Sequence, residues 1–179
     1  KWLGIDYDEG PYFQTDFEAD HIAACEKLLA SGAAYRCFCT KEELDAKRET
    51  ALAAKKPLGY DRTCRDLSGK EISAKEASGI PSVVRFKVPN RQGLLGYDDK
   101  IFGRIESAYS EIDDFVIVRS NGKPLYLLCN VVDDIRDRIT HIIRGQDHMT
   151  NTLKQVLLYE ALEAPLPVFG HMPLTLDTK

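Results

Sequence analysis

PLYLLCNVVDDIRDRITHIIRGQDHMTNT, residues 124–152, is the stretch whose reading decides the fold. Tyr126 and Asn130 are four apart, so on a helix they share one face. Residues 139–144 read as a buried strand ending in the cation Arg144, and Gly145-Gln146-Asp147-His148 turns into a second helix. Helix, strand and helix in that order belong to an α/β sheet, where ligands sit in the crevice beyond the carboxyl ends of the strands. Arg144 and Asp147 are therefore expected to project into a pocket. A guanidinium at a strand end suits a carboxylate, held bidentately, and an ionised aspartate accepts from two ribose hydroxyls. Residue types alone leave a second reading open, a surface arginine beside a helix-capping aspartate.

Outward from this unit, the chain has 179 residues, enough for one well-packed domain or for one domain with an insertion. Its hydrophobic fraction of 44% and charged fraction of 29% are ordinary for a soluble protein. A net charge of −4 argues against sequence-blind nucleic-acid binding over the whole surface, while leaving room for a local basic face. No apolar run approaches the roughly 18 residues of a membrane span, and no signal peptide is visible. Five cysteines, an odd count without an export signal, argue against a disulfide framework. A cytoplasmic globular protein is the expectation. The start at KWLGI without methionine and the stop at LDTK just past an apolar run read as cuts from something longer.

Before the deciding stretch, Asp16 is placed to cap a helix running to about Ser31, with Ile22, Cys25 and Leu29 as its apolar stripe and Gly32 ending it. YRCFC at 35–39 is strand-like, and Thr40 with Glu43 forms a capping box for a charged surface helix. A short helix is expected over residues 71–77. Val84, Phe86 and Val88 alternate with Arg85 and Lys87 as in a half-buried strand. Polar, glycine-bearing segments follow, with strand-like runs at 101–107 and 115–119 and a turn at Asn121-Gly122. Residues 34–122 are thus antiparallel in character, and the flanks βα.

Cys37, Cys39 and Cys64 form a second constellation. Three thiolates and one oxygen or nitrogen donor complete a tetrahedral zinc site, and Tyr60 and Asp66 are the local oxygen donors. The alternative is three thiols without a metal. Asp133, Asp134 and Asp137 are interleaved with Arg136 and Arg138, which reads as a salt-bridged helix end rather than a metal site. His171 reads as a packed strand residue. Lys47, Arg48, Lys55, Lys56, Arg62 and Arg65 cluster around the cysteine segment, either as a solvated helix surface or as phosphate contacts.

Colinear segments then carry a resemblance over nearly the whole length: KWLGIDYDEGPY, AYRCFCT, YDRTCR, VVRFKVP, SEIDDFVIVRSNGKPLY, NVVDD, ITHIIRGQDHMTNT, QVLLYEAL and HMPL. The chain resembles the middle of the bacterial glutamyl-tRNA synthetases, class I enzymes that activate glutamate with ATP and Mg²⁺ and transfer it to tRNA. The resemblance implies an α/β fold made of parts of a Rossmann-type catalytic domain interrupted by an α+β connective-peptide insertion. It divides the chain into residues 1–33, the insertion at 34–122, and 123–179. It implies glutamate contacts from Tyr126, Asn130 and Arg144, and ATP contacts from Asp147 and the backbone of Thr175. Gln146 departs from the glutamate usual in this segment, while Asp147 is retained.

Cys37, Cys39, Tyr60 and Cys64 resemble a zinc site of some family members; those with a histidine ligand would place it at position 66, where this chain has Asp66. The resemblance makes the insertion a platform for the tRNA-Glu acceptor stem, with Lys55, Lys56, Arg62 and Arg65 as contacts, in a monomeric parent enzyme. Both ATP signature motifs of the family, a His-x-Gly-His type and a Lys-Leu-Ser-Lys-Arg type, are missing from the 179 residues. The isolated chain is therefore expected not to activate glutamate. Two other readings compete: a paralogue that glutamylates queuosine in tRNA-Asp, which has a shorter loop between its cysteines, and a non-catalytic zinc-dependent RNA-binding module.

Overall fold

The structure, a computed structural model, describes residues 2–55 and 59–174. A 3₁₀ turn at Gln14–Phe17 leads into α1 (Glu18–Ala30), so Asp16 lies inside that turn and caps nothing. The inward face of α1 is His21, Cys25 and Leu28, while Ile22 is exposed. The expected stripe of Ile22, Cys25 and Leu29 is thus rotated by about one position, because a buried histidine holds the face and finds a partner in Asp133. Gly32, in the left-handed region at φ 74°, ends the helix.

After α1 come β1 (Ala34–Cys37), α2 (Lys41–Ala53), α3 (Gly69–Ala77) and β2 (Val83–Phe86). Thr40 accepts from the Glu43 N–H and Glu43 reaches back to the Thr40 N–H, so the expected capping box forms. Ser68 and Glu71 make a second box at α3, whose S-x-x-E signature went unread and whose start is two residues earlier than expected. β2 pairs antiparallel with β1 on one side and with β5 (Val116–Val118) on the other. It is not half-buried as expected. Val84 and Phe86 face the core, and Arg85 is buried on the opposite face, where it stacks on Tyr60 and donates to the Asp114 carbonyl.

A second sheet has the order β4-β3-β7-β6, built from β3 (Leu94–Asp99), β4 (Gly103–Ala108), β6 (His141–Gly145) and β7 (Val168–Met172). β3 is an element the sequence reading left out; Leu95, Tyr97 and Asp99 alternate inward along it. It pairs antiparallel with β4 and meets β7 in parallel at Asp99 and Phe169. β6 and β7 run parallel and are joined through α5 (Met149–Leu162), the βα character expected of the flank. Among the described residues β6 is the outermost strand of this sheet, and where a buried strand is expected Ile143 is 70% exposed.

α5 and α4 (Tyr126–Arg136) pack together over this sheet. α5 buries Thr152, Leu153, Gln155, Val156, Leu157, Leu158 and Tyr159, as a helix apolar on nearly all sides must. The core cluster joins Leu28, Phe86, Ile117, Leu128, Leu157 and Phe169, so α1, both sheets, α4 and α5 share one interior. Among the described residues, no helix is long and apolar enough to cross a membrane.

Candidate functional site

α4 begins at Tyr126 after Leu125, and Tyr126 and Asn130 lie one turn apart on it. The Tyr126 hydroxyl is 3.5 Å from Nδ1 of His148, which sits in the 3₁₀ turn Gln146–His148 between β6 and α5. The start of α4 therefore lies beside the turn that follows the carboxyl end of β6. Arg144 lies one residue before the end of β6.

Arg144 is anchored on three sides. Its Nε donates to His171 Nε2 (3.2 Å), and its Nη2 to Thr152 Oγ1 and Gln155 Oε1, both at 2.6 Å. A guanidinium has five N–H donors. Three are taken within the fold, and the two on Nη1 have no partner among the described residues. The bidentate grip expected for a carboxylate is thus narrowed: the edge formed by Nε and Nη2 is occupied, and Nη1 is the nitrogen on offer. Asp147 is exposed, with its carboxylate 3.6 Å from His148 Nε2. A Cβ on Gly145 would collide with that carboxylate, so the glycine makes room for it.

The helix end beyond the pocket is salt-bridged, as expected. Arg136 pairs with Asp133 at 2.9 Å and with Asp137 at 2.8 Å. Asp134 instead accepts from the buried Tyr159 hydroxyl at 3.1 Å, and burial raises its carboxyl above the ordinary value.

The cysteine segment converges as well. The sulfurs of Cys37, Cys39 and Cys64 lie within 4.8 Å of one another, and Cys39 and Cys64 are 3.6 Å apart. Tetrahedral zinc with Zn–S bonds near 2.3 Å holds its sulfurs about 3.8 Å apart. The Tyr60 oxygen enters the same cluster, 3.1 Å from Cys37 Sγ and 3.6 Å from Cys39 Sγ. Asp66 does not join it, being turned toward Lys87 Nζ at 3.3 Å. Of the two oxygen donors the sequence left open, the fold brings in the tyrosine. Three sulfurs and one oxygen at these separations are compatible with zinc.

The thiols are held unequally. Burial raises the Cys37 thiol, but the Tyr60 hydroxyl and the Arg85 guanidinium outweigh it and the net shift is downward. Burial pushes Cys39 up to about 11.

The basic cluster is less uniform than its sequence. Lys55, at φ 51° just past α2, is exposed. Arg62 donates to the Ile112 carbonyl at 3.4 Å. Arg65 is no free cation for a phosphate: it donates to both Asp114 oxygens (2.7 and 2.8 Å) and to the Val88 carbonyl (2.8 Å). Its role is internal because Asp114, fully buried, requires a countercharge. Lys56 and Thr175 lie outside the described residues.

Two buried residues stand behind Arg144. His171 was read only as packed, and Asp99 was not read at all. His171 Nδ1 is 2.6 Å from Asp99 Oδ2, and neither side chain reaches solvent. No sequence signal links them across 72 positions; the parallel pairing of β3 with β7 does.

Known proteins bear on this geometry. The glutamate–tRNA ligase of Desulfotalea psychrophila is 72% identical over 99% of this chain, and glutamate–tRNA ligase 2 of Koribacter versatilis is 49% identical over 98%. The chain spans 36% of the length of each. The crystal structure of the Elizabethkingia anophelis glutamate-tRNA synthetase superposes with a TM-score of 0.90 at 31% identity, over 99% of this chain and 39% of that one. A glutamate tRNA ligase from Elizabethkingia meningosepticum, crystallised in complex with its amino acid, matches at 0.89 and 32% over 98% of this chain and 38% of that one. The family model for the catalytic domain of class I tRNA synthetases (E and Q) matches residues 1–179, and the chain belongs to that family.

Proposed function

We propose that this chain is the central part of a glutamate–tRNA ligase. In that reaction a carboxylate oxygen of L-glutamate attacks the α-phosphorus of ATP with Mg²⁺ present. Pyrophosphate leaves, and a hydroxyl of the terminal ribose of tRNA-Glu then takes the glutamyl group from glutamyl-AMP, releasing AMP and a proton. The observation that carries the reading is the three-sided anchoring of Arg144, which leaves Nη1 for a ligand at the carboxyl end of a parallel strand. Tyr126 and Asn130, one turn apart on α4, are read as the amino-acid side and Asp147 as a nucleotide contact, with Thr175 assigned by resemblance alone. A fixed guanidinium pre-organises the carboxylate for attack and so lowers the entropic part of the barrier.

The donor set at Cys37, Cys39, Cys64 and Tyr60 is read as a structural zinc site with no open position. Zinc there would tie β1 to the Tyr60–Cys64 loop and brace the insertion at 34–122 between the catalytic parts at 1–33 and 123–179. Lys55 is read as facing the phosphates of the acceptor stem; Lys56 joins it by resemblance alone, and Arg62 less readily, its Nε lying 3.7 Å from the buried Asp114. Arg65 is left out because its charge is matched internally. A cytoplasmic, monomeric enzyme is in keeping with this reading.

The test is kinetic. In the full-length ligase that carries this chain, Arg144→Ala is expected to raise the glutamate KM or abolish glutamate-dependent pyrophosphate exchange while ATP affinity is retained. Unchanged glutamate kinetics would reject the assignment.

A further inference from the structure

We propose that Asp99 and His171 form a buried positioning relay that fixes Arg144 for its carboxylate ligand. The proposal deepens the reading above and rests on Arg144 receiving glutamate. It adds to that site a carboxylate carried on β3, outside the strand–turn–helix unit that holds the pocket residues.

The relay follows from which atoms can donate. Asp99 accepts from the backbone N–H of Ile101, Phe102 and His171, at 2.9, 2.9 and 3.0 Å, so its carboxylate is locked in the turn after β3. It lies 2.6 Å from His171 Nδ1. An ionised carboxylate only accepts, so the proton of a neutral imidazole resides on Nδ1. Nε2 is then left with a lone pair. That lone pair receives the Nε–H of Arg144 at 3.2 Å. Thr152 Oγ1, 3.0 Å from the same nitrogen, accepts from Arg144 Nη2 and gives its one proton to Nε2, the His148 carbonyl at 3.1 Å being the other acceptor in its reach.

The other tautomer, or an imidazolium, would turn an N–H toward the Arg144 N–H, donor against donor. Gln155 is oriented by the same logic: its Oε1 faces the guanidinium, and its buried Nε2 has no partner among the described residues. Tolerance of that orphaned donor fits a network organised around Arg144, since flipping the amide would lose the stronger charge-assisted bond. Asp99, His171 and Arg144 thus form an anion, a neutral relay and a cation in line. This is the outer-shell arrangement by which a carboxylate–imidazole pair orients a ligand-binding group.

The test uses the full-length ligase, with Arg144→Ala as reference. His171→Leu is expected to raise the glutamate KM roughly tenfold or more, with the ATP KM changed less than about twofold. His171→Gln is expected to recover most of the loss, because its amide oxygen can stand in for Nε2 as acceptor. Asp99→Asn is expected to raise the glutamate KM and to move the imidazole proton from Nδ1 to Nε2, read from the ¹⁵N shifts of His171.

If Arg144→Ala raises the glutamate KM and a folded His171→Leu does not, the relay is overturned and the glutamate reading stands. If Arg144→Ala has no effect, both fall together. Should His171→Leu fail to fold, Asp99→Asn decides: a wild-type glutamate KM with the Nε2–H tautomer present overturns the relay.

Discussion

The guanidinium of Arg85 lies 3.7 Å above the ring of Tyr60. The same phenol reaches Cys37 with its oxygen, so a buried cation and three thiols share one aromatic ring. Burial and the neighbouring thiols hold the free phenol well above its ordinary value, so only a bound metal would draw the proton off, with the cation over the ring in support. Elemental analysis of chain purified without chelator is expected to find about one zinc per molecule. Cys64→Ser is expected to lose it. Arg85→Leu is expected to weaken zinc by about 10–100-fold while leaving the four donors in place. Metal-free wild type would sink the site.

Asp114 ties together β1, the segment after Cys64 and the segment after β2. It accepts from Arg65, from the Tyr35 hydroxyl at 2.8 Å and from the Val88 N–H at 3.0 Å. Asp114→Ala would strand a guanidinium that is 11% exposed, and its expected cost is about 3–5 kcal/mol in urea denaturation. A loss below about 1 kcal/mol would show that water satisfies Arg65.

Gly145 is required by its neighbour, not by its own backbone, which is extended at φ −66°. Its missing Cβ is the space the Asp147 carboxylate occupies. Gly145→Ala in the full-length ligase is expected to displace that carboxylate and raise the ATP KM, with melting temperature nearly unchanged because Asp147 can swing into solvent. An unaltered ATP KM would detach Asp147 from the nucleotide.

The buried Asp99 makes stability depend on acid. Burial opposes its ionisation, but the Phe102 N–H, the His171 ring and the Ile101 N–H outweigh that and hold its pKa at about 2. The folded value lies below the unfolded one of 3.8. Its stabilisation, roughly 2 kcal/mol, is therefore present above about pH 4 and lost as pH falls toward 2. The stability difference between wild type and Asp99→Asn is expected to shrink across that window in denaturant titrations. A difference constant with pH would show that the carboxylate is not what the network holds.

Much of the candidate site was legible in residues 124–152, because Tyr126, Asn130, Arg144 and Asp147 sit on contiguous elements whose spacing sets their direction. The zinc-compatible donors were legible as a set, but the choice between Tyr60 and Asp66 was not. Both are close in sequence to Cys64, and only the path of the loop beneath Arg85 turns one inward. β3 was missed although Leu95, Tyr97 and Asp99 alternate, since Gly96 and the flanking polar residues obscure the period. With β3 went Asp99, and with Asp99 the partner of His171.

The sequence by itself determined what depends on neighbours within about a turn: the Thr40–Glu43 box, the stop at Gly32, the βα character of the flanks and the clustering of cysteines. Tertiary structure alone decided that β6 lies beside β7, that Arg65 answers Asp114, and that His171 meets Asp99. Those outcomes rest on strand order and register, where a single pairing of Asp99 with Phe169 sets one carboxylate beside one imidazole. A buried charge must find its partner in space, and no local pattern specifies which distant strand supplies it.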